Sequence, residues 1–197
     1  GKDDDIHEYI LSTPYDISAA TFSVAIDHDP SMSGNPRQIR FNKDGSRMFI
    51  HMRFRDRTQH SKIFQYELSE NFSISSATYN GVFFYVGDKV TNVFHSFGFN
   101  QQGTMLYASD GSFSVAGSGV VHQYSLSVAF DLSSTITFLR SQDLEALADT
   151  TTARGAREPS AVSFNQDGTR MFLVESTGNE INQSVSYTHL TLPTRLM

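Results

Sequence analysis

The side chains that could do chemistry are few and scattered. Seven histidines occur: His7, His28, His51, His60, His95, His122 and His189. Imidazole titrates near neutral pH and ligates metals, so each is a candidate acid–base or metal group. None stands in a His-Glu-x-x-His spacing, and no Gly-x-Ser-x-Gly elbow, phosphate loop or dinucleotide fingerprint is present. His51, His95, Glu158 and Glu175 would make a metal or acid–base site only if their strands brought them to one point. Asp3, Asp4 and Asp5 are adjacent carboxylates, but the alternating spacing of a calcium loop is missing, and a solvated hairpin loop is the simpler reading. The segment Arg53-Phe54-Arg55-Asp56-Arg57-Thr58-Gln59-His60 is locally basic and could grip a carboxylate or sulfate; a polar hairpin tip accounts for it more simply. No catalytic, cofactor-binding or metal residue is assigned from the sequence, and no cofactor is expected.

A repeat defines the elements that must hold these residues. Phe41-Asn42-Lys43-Asp44-Gly45-Ser46-Arg47-Met48-Phe49 returns as Phe164-Asn165-Gln166-Asp167-Gly168-Thr169-Arg170-Met171-Phe172, with a looser copy at Phe99-Asn100-Gln101-Gln102-Gly103-Thr104-Met105-Leu106-Tyr107. Each is an apolar residue, a polar turn with glycine fifth, and a second apolar run. Glycine accepts positive φ without a Cβ clash, so the phrase predicts a hairpin turn. Asp44 and Asp167 directly precede their glycines, unlike the Asp-x-Gly of sialidase-type boxes, and are read as turn residues whose carboxylates cap backbone N–H groups. The flanks alternate, as Val162 and Phe164 do around Ser163, which marks strands with one buried face. Pro36 and Pro159 precede two copies and suit the first residue of a strand; Phe94 stands there in the middle copy.

A second phrase lies between the turns. Ile6-His7-Glu8-Tyr9-Ile10-Leu11-Ser12, Ile63-Phe64-Gln65-Tyr66-Glu67-Leu68-Ser69 and Val121-His122-Gln123-Tyr124-Ser125-Leu126-Ser127 are its full copies; a fourth begins at Ile181-Asn182-Gln183 and breaks off. Tyr9 to Tyr66 is 57 residues, Tyr66 to Tyr124 is 58, Gly45 to Gly103 is 58 and Gly103 to Gly168 is 65. A period in the fifties with about four strands per unit predicts β-propeller blades. His7 and His122 share one repeat position, which favours a structural or surface role for both. Tyr9, Tyr66 and Tyr124 are expected to be packing aromatics with hydrogen-bonded hydroxyls.

The alternation of Pro-x-x-x-x-Phe-x-x-Asp-Gly-x-x-Met-Phe with Ile-x-Glu/Gln-Tyr-x-Leu-Ser resembles bacterial propeller repeats of the YVTN and NHL-like kind. It is most similar to a repeat reading roughly Asp-Val-Asn-Glu-Tyr-x-Leu-Ser-Thr-Pro-Phe-Asp in marine environmental sequences. The resemblance covers residues 1 to about 183 and implies fold far more than function, since such propellers serve many ends.

Composition excludes several classes. A net charge of −6 without a dense basic patch argues against nucleic-acid binding. The absence of cysteine removes disulfides and thiolate metal sites, and no apolar run is long enough for a membrane span. The expected fold is all-β: a partial β-propeller of four-stranded antiparallel blades, about three blades present, over residues 1–183, with blade breaks near 27–36, 87–93 and 141–159. Strands are expected at 6–12 and 20–26; at 37–41, 46–53, 62–69 and 77–85; at 94–99, 104–109, 119–126 and 135–140; and at 160–164, 169–175 and from 180. Leu144-Glu145-Ala146-Leu147-Ala148 suits one or two helical turns.

Residues 184–197 break the pattern, with Ser184 where the repeat has Tyr. Val185-Ser186-Tyr187-Thr188-His189-Leu190-Thr191-Leu192-Pro193-Thr194 resembles the translation of a transposase-type sequencing adapter and is kept out of the reading of fold and function. A closed ring has four to eight blades, so the chain is expected to be about half of a longer propeller whose terminal blade faces promote self-association. The leading functional expectation is a non-catalytic binding or scaffold module of an exported or surface bacterial protein, with a protein or carbohydrate ligand. The alternative is a lactonase-like propeller hydrolase with a metal site near the central axis.

Overall fold

The structure, a computed structural model, describes residues 5–27, 34–54, 62–90, 93–111, 119–144, 159–175 and 181–185, with side chains except at 34, 53, 54, 175 and 181–185. Its strands are β1 (Asp5–Leu11), β2 (Ala20–Asp27), β3 (Gly34–Phe41), β4 (Arg47–Phe54), β5 (Lys62–Leu68), β6 (Ala77–Tyr85), β7 (Val93–Phe99), β8 (Met105–Gly111), β9 (Val120–Leu126), β10 (Ile136–Asp143), β11 (Pro159–Phe164), β12 (Arg170–Glu175) and β13 (Ile181–Val185). They form successive antiparallel sheets in chain order: β1-β2, β3-β4-β5-β6, β7-β8-β9-β10 and β11-β12-β13. This is the expected all-β partial propeller, here numbered blades one to four. Among the described residues no helix is long and apolar enough to cross a membrane.

The three glycine hairpins occupy equivalent corners. Gly45, Gly103 and Gly168 have φ of 76°, 73° and 72°. In each turn the preceding asparagine holds the next strand, since Asn42, Asn100 and Asn165 accept through Oδ1 from the N–H of Arg47, Met105 and Arg170. Asp44 and Asp167 cap the N–H groups of Ser46 and Thr169, as the turn chemistry predicts. A second corner lies where an aromatic residue and a small polar turn follow each full copy of the second phrase. Tyr15, Phe72 and Phe130 adopt φ of 64°, 62° and 54°, rare for aromatic residues. In blades two and three this conformation completes a lock: Phe72 N–H donates to Gly45 O and Phe130 N–H to Gly103 O, each at 2.9 Å, with the ring lying across the glycine.

The strand ends differ slightly from expectation. Pro36 is the third residue of β3 rather than the first, tolerated because the register slips between Pro36 and Gln38. The same slip occurs at Phe94/Ser96 and Pro159/Ala161, so a bulge is part of the repeat. β13 runs two residues past the expected boundary at 183, pairing Ser184 with Met171 and Val185 with Arg170, because ladder hydrogen bonds use backbone groups whatever the side chain. The expected helical turns after Leu144 and most of the basic loop after Phe54 lie outside the described residues.

Blades join through apolar layers and polar clasps. Ile6 packs with Met48, Ile50 and Phe64 between blades one and two. Phe49 and Ile63 pack with Phe94, Phe97 and Leu106 between two and three, and Val121 with Val162 and Leu173 between three and four. Alongside, Glu8 Oε2 accepts from Ile74 N–H at 2.8 Å and Gln65 Oε1 from Leu132 N–H at 2.7 Å. The repeated Glu/Gln thus ties blade one to the last hairpin loop of blade two, and blade two to that of blade three. Arg47 adds a donation to Phe130 O at 2.9 Å and an ion pair with Asp131 at 3.4 Å.

Acid should loosen these loops. Burial raises the Asp131 carboxyl, but the Ser133 hydroxyl and N–H and the Arg47 guanidinium outweigh it and leave it below the ordinary value of 3.8. Asp16, Asp44 and Asp167 are lowered by the hydroxyls, then the N–H groups, of Ser18, Ser46 and Thr169. A depressed folded-state pKa stabilises above the unfolded value, about 3.9, and that stabilisation is lost as pH falls through the folded value. Melting temperature should therefore hold from pH 7 to about 5 and fall below about 4, with a shallower fall in Asp131→Asn. An unchanged acid limb in that variant would remove Asp131 from the account.

Candidate functional site

Among the described residues the sequence candidates form no group that could hold a metal ion. His51 on β4 is buried between blades two and three, its ring 4.1 Å from that of Phe94. His95 lies on β7 with Nε2 3.3 Å from Gly111 O. Glu175 ends β12, and Glu158 lies outside the described residues. Among the described residues no three His, Asp or Glu side chains are grouped to hold a metal ion. His7 is exposed and packs edge-on against Phe22, a surface role. Tyr124 departs from expectation: it is buried as a packing aromatic, but its hydroxyl has no hydrogen-bond partner among the described residues. Burial, then the charges of Asp110 and Asp88, push its pKa up and hold it as the neutral phenol.

Beside Tyr124, blade three holds an array around His122, a candidate histidine that its repeat position had favoured as structural or surface, with Asp110 and Ser141, which the sequence did not single out. Asp110 is the penultimate residue of β8, His122 lies on β9 and Ser141 on the outer strand β10, directly across from His122. His122 Nε2 is 2.9 Å from Asp110 Oδ1, and Nδ1 is 2.8 Å from Ser141 Oγ. Asp110 and His122 are 1% and 3% exposed while Ser141 faces solvent. A carboxylate only accepts, so Nε2 carries the proton toward Asp110; in the neutral ring Nδ1 is then left to accept from the Ser141 hydroxyl. That is the order of nucleophile, base and orienting acid, with the two ring nitrogens exchanged relative to the familiar triad; the chemistry needs only one free nitrogen at the nucleophile. Lys89 sets a cation 4.8 Å from the Phe138 ring, which itself touches Tyr124.

The signal for this array lay in the mismatch between blades. Counting from Gly45 and Gly103, Asp110 matches Met52, and the pair His122–Ser141 matches Phe64–Phe83. Three apolar positions of blade two become polar together in blade three. Pairing His122 with His7 concealed that change, because blade one has no described second strand to carry an equivalent of Asp110.

A second feature lies at the glycine-turn end of the inner strands β3, β7 and β11. An open cleft of about 670 Å³ is bordered by Arg40, Lys43, Asn100, Gln102, Tyr107 and Phe164. Its size suits a small ligand, with cations for an anionic group, amides for hydroxyls and aromatic faces for an apolar ring surface. Tyr107 and Phe164 stack across the blade boundary with centroids 4.3 Å apart.

No family model and no curated protein matches the chain. Among solved structures, a protein from Lactobacillus plantarum superposes with a TM-score of 0.59 at 13% identity, over 92% of this chain and 45% of its own. Proteins from Bacteroides uniformis and Bacteroides fragilis, each provisionally described as a 6-phosphogluconolactonase, superpose with TM-scores of 0.58 at 13% and 14% identity. They cover 91% of this chain and 43% and 44% of their own. At such identity the likeness is one of fold, and the chain spans a little under half the length of each.

Proposed function

We propose that the chain is part of a propeller hydrolase acting on esters, with sugar lactones as the substrate class. The reading rests on the Asp110–His122–Ser141 array; the lactonase descriptions of the Bacteroides neighbours favour the substrate class. Ser141 Oγ attacks the acyl carbon as its proton passes to His122 Nδ1, and the ring C–O bond breaks. His122 returns that proton to the departing alkoxide. Water then repeats the cycle on the acyl-serine, releasing the hydroxy acid and restoring Ser141. Asp110 keeps the imidazole in the tautomer that accepts and stabilises the imidazolium between steps.

A fluorophosphonate ester, which phosphonylates an activated serine with loss of fluoride, tests the array directly. Intact-mass and peptide analysis should place one adduct on Ser141, and none should form on the His122→Ala protein. Labelling elsewhere, or no labelling, would reject the nucleophile.

The cleft favours a second reading, a non-catalytic module that binds an anionic carbohydrate between Arg40, Lys43 and the turn amides. Titration of 6-phosphogluconate should then show binding that weakens by about tenfold or more in Arg40→Glu, since the charge reversal replaces attraction by repulsion within one site. Equal affinity in that variant would leave the cleft without a role.

A further inference from the structure

We propose that Asn80 is a site of spontaneous covalent modification: the backbone nitrogen of Gly81 displaces the side-chain amide and leaves aspartate and isoaspartate. The site is separate from both the hydrolase array and the cleft. The reaction favours a glycine after Asn or Asp, because a Cβ would crowd the approach of the backbone nitrogen to the side-chain carbonyl carbon. Four pairs in the chain have that sequence: Asp44-Gly45, Asn80-Gly81, Asp110-Gly111 and Asp167-Gly168. The fold separates one of them from the rest.

Three pairs are held away from reaction. Asp44 accepts through Oδ1 from the N–H and hydroxyl of Ser46, and Asp167 likewise from Thr169. The glycine N–H groups that would attack are also engaged, since Gly45 donates to Asn42 O at 3.2 Å and Gly168 to Asn165 O at 3.1 Å. Asp110 is buried, with Oδ1 2.9 Å from His122 Nε2.

Asn80 and Gly81 lie on the outer strand β6, both exposed, in a bulge longer than those of blades one and three. The register passes from Phe64 opposite Phe83 to Tyr66 opposite Tyr79, so Asn80, Gly81 and Val82 face Gln65 alone. The corresponding slips leave a single unmatched residue, Ser23 on β2 and Leu139 on β10. Gly81 has a φ of 79°, and a Cβ there would meet nothing within 4 Å, so the Asn80–Gly81 peptide has room to turn. Among the described residues no hydrogen bond holds the Asn80 carboxamide. The strand is pinned on either side: Tyr79 packs on Tyr66 with centroids 5.2 Å apart, and the Lys62 ammonium lies 4.8 Å from the Phe83 ring centre. The peptide can therefore turn within the bulge while the flanking pairs keep their register.

The steps balance without any co-reactant but water. The Gly81 nitrogen bonds to Asn80 Cγ and gives up its proton, the Cγ–Nδ2 bond breaks, and ammonia departs from a cyclic imide. Water then opens either imide carbonyl. Cleavage between Cγ and nitrogen gives aspartate. Cleavage at the main-chain carbonyl gives isoaspartate, whose backbone runs through Cγ and is one carbon longer. Either product sets a carboxylate on the outer edge of blade two.

The test is to age the 197-residue chain in mildly alkaline buffer and, in parallel, in urea, then digest and map it by mass spectrometry. In buffer the peptide with Asn80 should gain about 1 Da and split into two chromatographic forms. One form should accept a methyl group from an isoaspartate-specific carboxyl methyltransferase. The rate in buffer should stay within about a hundredfold of that in urea, because only the bulge must move; a reaction that awaited global unfolding would be slower by about a thousandfold or more. Peptides with Asp44, Asp110 and Asp167 should gain isoaspartate only in urea. Asn80→Ser should abolish the methyl acceptance in buffer. A larger suppression at Asn80 in buffer, or isoaspartate arising first at Asp44, Asp110 or Asp167 there, overturns the proposal.

Discussion

Ser141→Ala should lower lactone hydrolysis by at least about a thousandfold while changing stability by less than about 1 kcal/mol. The hydroxyl lies at a solvent-facing position, so water can take its place beside Nδ1. His122→Leu should lose as much activity and in addition cost about 3–5 kcal/mol of stability. It removes the imidazole whose Nε2 lies 2.9 Å from the Asp110 carboxylate, itself 1% exposed. Initial rates on a δ-lactone together with urea unfolding would separate the two substitutions. If both lose stability and neither changes a rate, the array is a strut joining β8, β9 and β10, and the binding-module reading stands alone.

Gly103→Ala should destabilise the chain by about 2–4 kcal/mol, read as a shift of the urea midpoint at constant slope. Two effects add. At a φ of 73° an alanine is strained by about 1–2 kcal/mol. The new methyl would also overlap the Phe130 ring, whose backbone is held beside Gly103 by the bond from its N–H to Gly103 O. Phe99 and Phe130 pack with tilted rings, centroids 5.3 Å apart, so expelling one ring loosens the layer between blades two and three. Gly45→Ala should behave alike against Phe72. A loss of less than about 1 kcal/mol in either would show that the aromatic lock carries no stability.

Much of the architecture was legible because it is local and repeated. Turn glycines, alternating strands and a period in the fifties are short-range signals, and each recurrence strengthens the others. Bulges at Pro36 and Phe94 blurred only strand starts. The aromatic lock was visible as residues, an aromatic six positions after each repeated tyrosine, but not as a contact. Nothing in the sequence says that Phe72 turns back over a glycine in a hairpin formed 27 residues earlier.

By itself the sequence determined the all-β class, the four-stranded unit and the corners where the chain reverses, since backbone sterics and side-chain alternation act within a few residues. Only the tertiary structure decided which polar side chains meet. Asp110, His122 and Ser141 come from three strands, and a shift of one residue in register would turn each to the opposite face. Likewise His51 and His95 read as a possible pair, but packing buries one against Phe94 and directs the other to Gly111, because apolar layers between blades, not the histidines, set where those strands lie.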